Sequence, residues 1–312
     1  MASVTRAIVA TAQDYPAKPI RWIVGYPAGG GFDILARSLS QKMTLELGQP
    51  FIIDNRPGAA GIIGAEAAAR SAPDGYTMVF IGPGELVYNQ VFYKKLPYDA
   101  DKDFTPVGLV AKFPLVLVVN SSVNAKNIGE FIALAKSSPG RLSYASGGLG
   151  HPNHLAMELL KQRAGIDLVN VPYRGMPPAI QDVVAGSIPA MFLDLASGTT
   201  QVKAGKVRML AVSTRERLAL WPELPTLAES GIANYEYFPW GGLAFPAGTP
   251  AAAVRRMNEA LAKSLRSPDL VKRFGEAGIE LVASTPEQLA ELIQDDRKKW
   301  HPLIRSLGIS LD

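Results

Sequence analysis

Four short glycine-bearing turns hold the residues best placed to act on a small molecule. They read GYPAGGGFD (25–33), GPGE (82–85), SGGLGHPNH (146–154) and PYRGMPP (172–178). Each lies where an apolar stretch of strand type gives way to helical sequence. Glycine lets the backbone approach a ligand closely and turn its N–H groups outward. A helix starting there adds unpaired amides and the positive end of its dipole, worth about 0.3–1 kcal/mol to an anion at an exposed site. Taken singly, each turn can be no more than a tight bend. Four of them facing one cleft point to an anion cradle built of backbone.

The motifs make that anion a small one. A dinucleotide site wants G-x-G-x-x-G, and Gly29-Gly30-Gly31-Phe32-Asp33-Ile34 fails at its last position. A phosphate loop wants Gly-Lys-Ser/Thr at its end, and GGGFD has neither the lysine nor the hydroxyl. No G-x-S-x-G nucleophile elbow is present. His151, His154 and Glu158 fall at i, i+3 and i+7, a spacing that could line one helical face as metal ligands. Pro152, however, suits the first helical position. That puts His151 at the cap and His154 in the first turn, where the dipole opposes a cation. A structural or ligand-facing role suits the histidines better, and neither metal nor cofactor is expected. Carboxylates are plentiful, but no spacing marks an acid–base pair, so no enzyme is expected. Asp33 opens a helix and most simply caps it. Asp194, in MFLDLAS, ends a strand, where it could accept a ligand donor or equally satisfy nearby backbone.

Strand-like and helix-like segments alternate around these turns. RWIVGY, FIIDN and YTMVFIG read as strands, separated by helices at 32–47 and in GIIGAEAAARSA. LVLVVNSS (115–122) is a long apolar strand after which the alternation restarts. Helices at 127–137, 152–164 and 177–185 interleave with the strands LSYAS, DLVNVPY and PAMFLDL, and VRMLAVS adds one more. GGLAFPA (241–247) follows, then helices at 250–266 and 286–299 with almost no new sheet. The economical arrangement returns those helices to the first series. It predicts an α/β chain of two lobes, each a mainly parallel sheet flanked by helices, joined by two strand crossings with a cleft between. The expected divisions are 14–115 plus 242–312 for lobe 1 and 116–241 for lobe 2. Residues 1–13 hold an Ala10-Thr11-Ala12 step like a signal-peptidase site, behind an apolar stretch too short for a full signal, and read as an export remnant or added sequence.

Composition agrees. The chain has 312 residues, 47% of them hydrophobic, enough for a sizeable core. Its net charge of +4 is scattered, the densest basic runs being Lys94-Lys95 and Arg297-Lys298-Lys299, so nucleic acid is not expected as a partner. The absence of cysteine excludes disulfides and thiolate chemistry. No apolar run reaches the roughly 18 residues of a membrane span.

Beyond these features, the sequence resembles the Bug-type extracytoplasmic receptors of tripartite tricarboxylate transporters. The likeness runs from YPAKPIRWIVGYPAGGGFDILARSLSQKM through LGQPFIIDNRPGAAGIIGAEAAARSAPDGYTM, LPYDADKDFTPVGLV, YASGGLGHPNHLAMELL, VPYRGMPPAIQDVVAG and LPTLAESG to GLAFPAGTP. Asn55-Arg56-Pro57-Gly58 and Ala72-Pro73-Asp74-Gly75-Tyr76 are its most specific strings. The resemblance implies a periplasmic-binding-protein fold of the Venus-flytrap, type II-like kind. It implies an exported, monomeric receptor that closes on a small carboxylate and delivers it to a separate membrane permease. A chemosensory or signalling receptor on the same fold is the first alternative, and a soluble enzyme the second. Carried over, ligand contacts fall on Tyr26, Ala28, Gly29, Gly30, Phe32 and Gly84 in the first lobe, and on Ser146, Gly150, His151, Tyr173 and Asp194 in the second. Three departures bear on ligand identity. Phe32 and His151 stand where small hydroxyl residues are common, and GPGELVYN carries fewer hydroxyls than usual. An apolar, aromatic-bodied carboxylate is the expected ligand.

Overall fold

A computed structural model describes residues 15–311; the stretch 1–13, expected to be an export remnant, lies outside the described residues. Two sheets organise the chain. The first contains β1 (Ile20–Val24), β2 (Phe51–Asn55), β3 (Thr77–Ile81), β4 (Phe104–Lys112), β10 (Trp240–Pro246) and the two-residue β11 (Glu280–Leu281), in the order β11-β4-β10-β3-β1-β2. The second contains β5 (Leu115–Asn120), β6 (Ser143–Ser146), β7 (Val169–Pro172), β8 (Ala190–Asp194) and β9 (Val207–Val212), in the order β7-β6-β8-β5-β9.

The pairings show why the sheets are mainly parallel and where they are not. β2, β1, β3 and β4 point one way, while β10, between β3 and β4, runs antiparallel to both. In the second sheet β7, β6, β8 and β9 share a direction and β5 opposes its two neighbours. β5 and β10 are the strands that the chain enters after each passage between sheets. The chain leaves at the carboxyl end of β4 or β9 and enters the other sheet at the adjoining end, which reverses the strand. As a result the carboxyl ends of β1 and β3 and those of β6, β7 and β8 all lie at the crossing side of their sheets, where open α/β sheets take ligands.

Side-chain alternation builds the layers. Leu115, Leu117 and Val119 join a core that also holds Ile23 and Val79 of the first sheet, whereas Val116 and Val118 face the opposite layer with Val183 and Met191. Ile20, Trp22 and Val24 face a third apolar layer formed with α1 (Gly31–Leu47) and α8 (Ala251–Leu265). The shared core is bridged by aromatic residues from the segment after β9. Tyr237 meets Trp300 of α10 (Pro286–Ser306) edge-on at 4.6 Å, and the Tyr235 hydroxyl donates to the carbonyl of Ala156 on α5 (Pro152–Ala164) at 2.8 Å.

The two crossings are tied together. The chain passes between Lys112 and Leu115 and returns between Val212 and Trp240. Ser213 accepts at Oγ from the Leu115 amide (3.1 Å) and donates to the Tyr237 carbonyl (2.6 Å), while the Phe113 amide donates to Pro239 (2.8 Å). Among the described residues no helix is long and apolar enough to cross a membrane.

Candidate functional site

The turn after β1 is shaped by hydrogen bonds that the sequence motif foreshadows only in part. Gly29 adopts φ +80, the left-handed region that glycine favours. The N-cap of α1 is Gly30, not Asp33, and no side chain caps it, which leaves the first-turn amides open to an anion. Asp33, the third helical residue, reaches back to the Gly29 amide at 2.8 Å, accepts both from Arg37 Nε and from Asn55 Nδ2 (2.9 Å), and is buried. The Arg37 bonds, with the Gly29 and Asn55 bonds beside them, outweigh burial and hold its carboxyl down to about 2. Asn55 also donates to the Tyr26 carbonyl at 3.1 Å. The Asn55-Arg56-Pro57-Gly58 string thus begins with the residue that locks this turn.

Tyr26 and Phe32 pack at 4.6 Å between ring centroids, tilted by 37°, and Phe32 reaches Phe80 (4.9 Å) and Phe113 (5.1 Å). This aromatic group lies beside the first turn. It packs against the apolar layer of α1 and extends to the crossing at Phe113. Ala28 and Gly29 are exposed and Gly30 half-buried. On the neighbouring turn Gly84 is half-buried, with no atom within 4 Å of where a Cβ would stand. It opens a wide helical turn, 84–88, in which Glu85 is buried.

In the second sheet's turns, Ser146, Gly150, His151 and Tyr173 come together. Tyr173 N–H donates to the Ser146 carbonyl (2.9 Å) and Gly175 N–H to that of Gly147 (3.2 Å). The Ser146 hydroxyl donates to Asn170 on the neighbouring strand (2.8 Å), and the Tyr173 hydroxyl donates to Asp182 on the helix Met176–Ala185 that follows its turn. Burial, with Asp182 beside it, pushes the Tyr173 phenol up to about 12. The Gly150 amide donates to His154 Nδ1 at 3.2 Å. His151 is the N-cap residue of α5, half-buried, and its ring lies so close over Gly147 that a Cβ there would sit 2.9 Å from Cδ2. Burial lowers its pKa, against the pull of Asp194. Burial thus favours the neutral ring, which donates from one nitrogen only. Its Nδ1 and the Oδ1 of nearby Asn153 are buried without hydrogen-bond partners. Asp194, half-buried, ends β8 opposite Leu115. His154 stacks on Tyr144, and Glu158 accepts from Tyr144 and Lys161, so both belong to the interior of this unit.

The structure thus assembles each lobe's candidates into a group of its own. Among the described residues no hydrogen bond or ring contact joins Tyr26–Phe32 to Ser146–His151 or Tyr173. The two units do touch nearby: a Cβ on Gly150 would lie 2.9 Å from the Phe92 ring. A groove of about 480 Å³ between residues 214–220 and the stretch Val271–Leu281 is also lined by Lys112, Pro114, Glu236 and Phe238 of the crossings, and none of the eleven candidates borders it. Motif reading missed Glu85, although GPGE contains it, and missed Asn55, Asn153 and Phe113, whose roles are long-range.

Comparison with known proteins identifies the family of the chain. The profile described as "Tripartite tricarboxylate transporter family receptor" matches residues 35–309. A protein from the tcbD-tcbE intergenic region of Pseudomonas sp. strain P51 is 40% identical over 93% of this chain and 86% of its own length. Protein BugT of Bordetella pertussis is 33% identical over 96% of this chain and 93% of its own. Among solved structures, R. palustris Rpa4515 with adipate superposes with a TM-score of 0.81 at 32% identity, covering 95% of this chain and 99% of that one. The two-lobed α/β fold belongs to a receptor family, and this chain is a member of the tripartite tricarboxylate transporter receptors.

Proposed function

We propose that the protein is a periplasmic receptor that captures a small organic carboxylate between its lobes and delivers it to a tripartite tricarboxylate-type permease. The observation that carries this reading is the pair of helix starts without side-chain caps, at Gly30 and His151, set at carboxyl ends of strands in the two sheets. Their first-turn amides suit one carboxylate group each or two ends of one acid. The adipate found in the R. palustris relative supports the carboxylate class.

The lobes are taken as 14–115 plus 242–312 and 116–241, with contacts at Tyr26, Ala28, Gly29, Gly30, Phe32, Gly84, Ser146, Gly150, His151, Tyr173 and Asp194. Where one of these amides or hydroxyls already has a partner, as in Gly29, Ser146, Gly150 and Tyr173, the residue contributes shape rather than that group. The Tyr26–Phe32–Phe113 group supports a ligand with an apolar, aromatic body. Calorimetry on the whole chain with adipate, terephthalate, malate, citrate and glutamate tests this. Binding of at least one acid with a Kd near micromolar, about −8 kcal/mol, is expected. No binding by any of them would remove the carboxylate reading. Tight citrate or glutamate with no aromatic acid would remove the preference alone.

A further inference from the structure

Glu85 is only 1% exposed, and among the described residues it has no ion-pair partner. Its two carboxyl oxygens each accept from a neutral donor: Oε1 from the Tyr26 hydroxyl and Oε2 from the Gly82 amide, both at 2.9 Å. The third wall is Gly61, at φ +85, where a Cβ would sit 2.0 Å from Oε1. The carboxyl is therefore wedged where the turn after β1, the start of the helix Ile62–Ala69 and the turn after β3 meet. These are the first-lobe turns of the candidate site.

Charged and titratable groups on the surrounding elements have other partners. Arg297 on α10 donates to the carbonyls of Leu86 and Ala100 and pairs with Asp101. His301 on the same helix contacts the Val87 carbonyl at 3.0 Å. The Tyr98 hydroxyl bonds the backbone carbonyl of Glu85. Asp33, with Arg37 and Asn55, holds the far side of the Tyr26 turn. Burial, only partly offset by the Tyr26 and Gly82 bonds, pushes the Glu85 carboxyl up to about 7.

We infer that Glu85 takes up a proton from solvent when a carboxylate is captured, which makes Tyr26–Glu85 a proton-linked control on affinity. The inference rests on the carboxylate reading above. An ionised Glu85 places a negative charge beneath the turns that receive a second one, and like charges in a low-dielectric site disfavour each other. The proton adds to Oε1, which then donates to the Tyr26 oxygen, while Oε2 keeps the Gly82 amide. The Tyr26 O–H is thereby released from the carboxylate and free to turn to another acceptor.

The test is calorimetry of the whole chain with adipate, in buffers of different ionisation enthalpy, together with infrared difference spectra of ligand-free wild type against Glu85→Gln. A glutamine can present its N–H to Tyr26 and its oxygen to Gly82, so it reproduces the protonated form. Wild type is expected to take up a fraction of a proton near pH 7 and to bind about threefold to tenfold tighter at pH 6 than at pH 8. Both effects vanish in Glu85→Gln, and a protonated-carboxyl band specific to wild type grows as pH falls through about 7. Equal proton uptake in Glu85→Gln would assign the effect to another group such as His151 and overturn the inference. So would pH-independent binding, or a band that titrates in the ordinary glutamate range. Absence of binding by adipate and by the other acids would overturn the carboxylate reading itself, and this inference with it.

Discussion

The ring of Phe32, at the start of α1, meets the ring of Phe113 nearly edge-on, at 5.1 Å and 77°. Phe113 lies in the first passage between the sheets, so a candidate ligand residue touches a residue of the crossing. An acid with a flat apolar body that stacks beside Phe32 therefore contacts the joint as well as the cradle. Phe32→Thr removes the aromatic wall and keeps the helix start. We expect it to weaken terephthalate about tenfold and adipate about threefold or less, because a good ring pair contributes roughly 0.5–1.5 kcal/mol beyond area burial. Calorimetry on the two acids checks this. Equal losses for both would show that Phe32 serves the lobe rather than the ligand.

Two buried acids give opposite pH signatures. The folded carboxyl of Asp33 is held at about 2, below the ordinary 3.8. Its stabilisation is full above pH 3.8 and is lost as pH falls through about 2. Glu85 is pushed from 4.5 up to about 7. The folded state then binds the extra proton, so its contribution is full below 4.5 and is lost as pH rises through about 7. Chemical denaturation across pH should show Asp33→Asn losing about 1–2 kcal/mol at pH 6 and little at pH 2, and Glu85→Gln gaining relative stability on the alkaline side by about 1–3 kcal/mol. Parallel pH curves for wild type and either variant would contradict the assignment for that residue.

Ser213 holds the two crossings together through one hydroxyl that both accepts and donates, in a fully buried position. Ser213→Ala leaves the Leu115 amide and the Tyr237 carbonyl without that partner. Unpaired buried groups cost about 1–3 kcal/mol each, so a loss of about 2–4 kcal/mol is expected in urea unfolding. A loss under half a kcal/mol would mean that the crossings are held by their apolar neighbours alone.

How far the sequence foreshadowed this arrangement depends on the range of the interactions. The apolar run LVLVVN and the helical spacing expected over residues 32–47 are local, and both elements form within a residue or two of where that pattern places them. β4 was not foreseen because FTPVGLVAK carries Pro106 and Gly108, which break strand patterning. The structure accommodates them with register shifts against β10, and Gly108 lies where a Cβ would crowd Asn258 and Ser284. The helix expected at 286–299 continues through Pro302 because Leu303 and Ile304 are buried beyond it. At the site, glycine turns were legible because their chemistry is in the backbone. Glu85 and Asn55 were not, since their roles depend on Gly61, Tyr26 and Asp33, which folding brings to them.

The last prediction concerns lobe closure. Gly278, at φ +74 in the turn before β11, packs so tightly on Leu195 that an added Cβ would lie 2.4 Å from the Leu195 Cβ. Gly278 belongs to the chain segment of the first sheet and Leu195 opens the helix that follows β8 of the second. The contact therefore senses the separation of the two units. Gly278→Ala should act as a wedge, because neither the Cβ of alanine nor that of leucine can rotate away. It also carries a left-handed backbone cost of about 1 kcal/mol, which is local and does not separate the lobes. Small-angle scattering should show a larger radius of gyration for ligand-free Gly278→Ala than for wild type. Calorimetry should show adipate binding weakened about tenfold, since closing the lobes must first compress the wedge. Adding Leu195→Gly opposite it removes the clash and keeps the backbone strain. The double variant should recover the wild-type radius and most of the affinity. An unchanged radius in the single variant, or affinity that the second substitution does not restore, would show that this contact takes no part in closure.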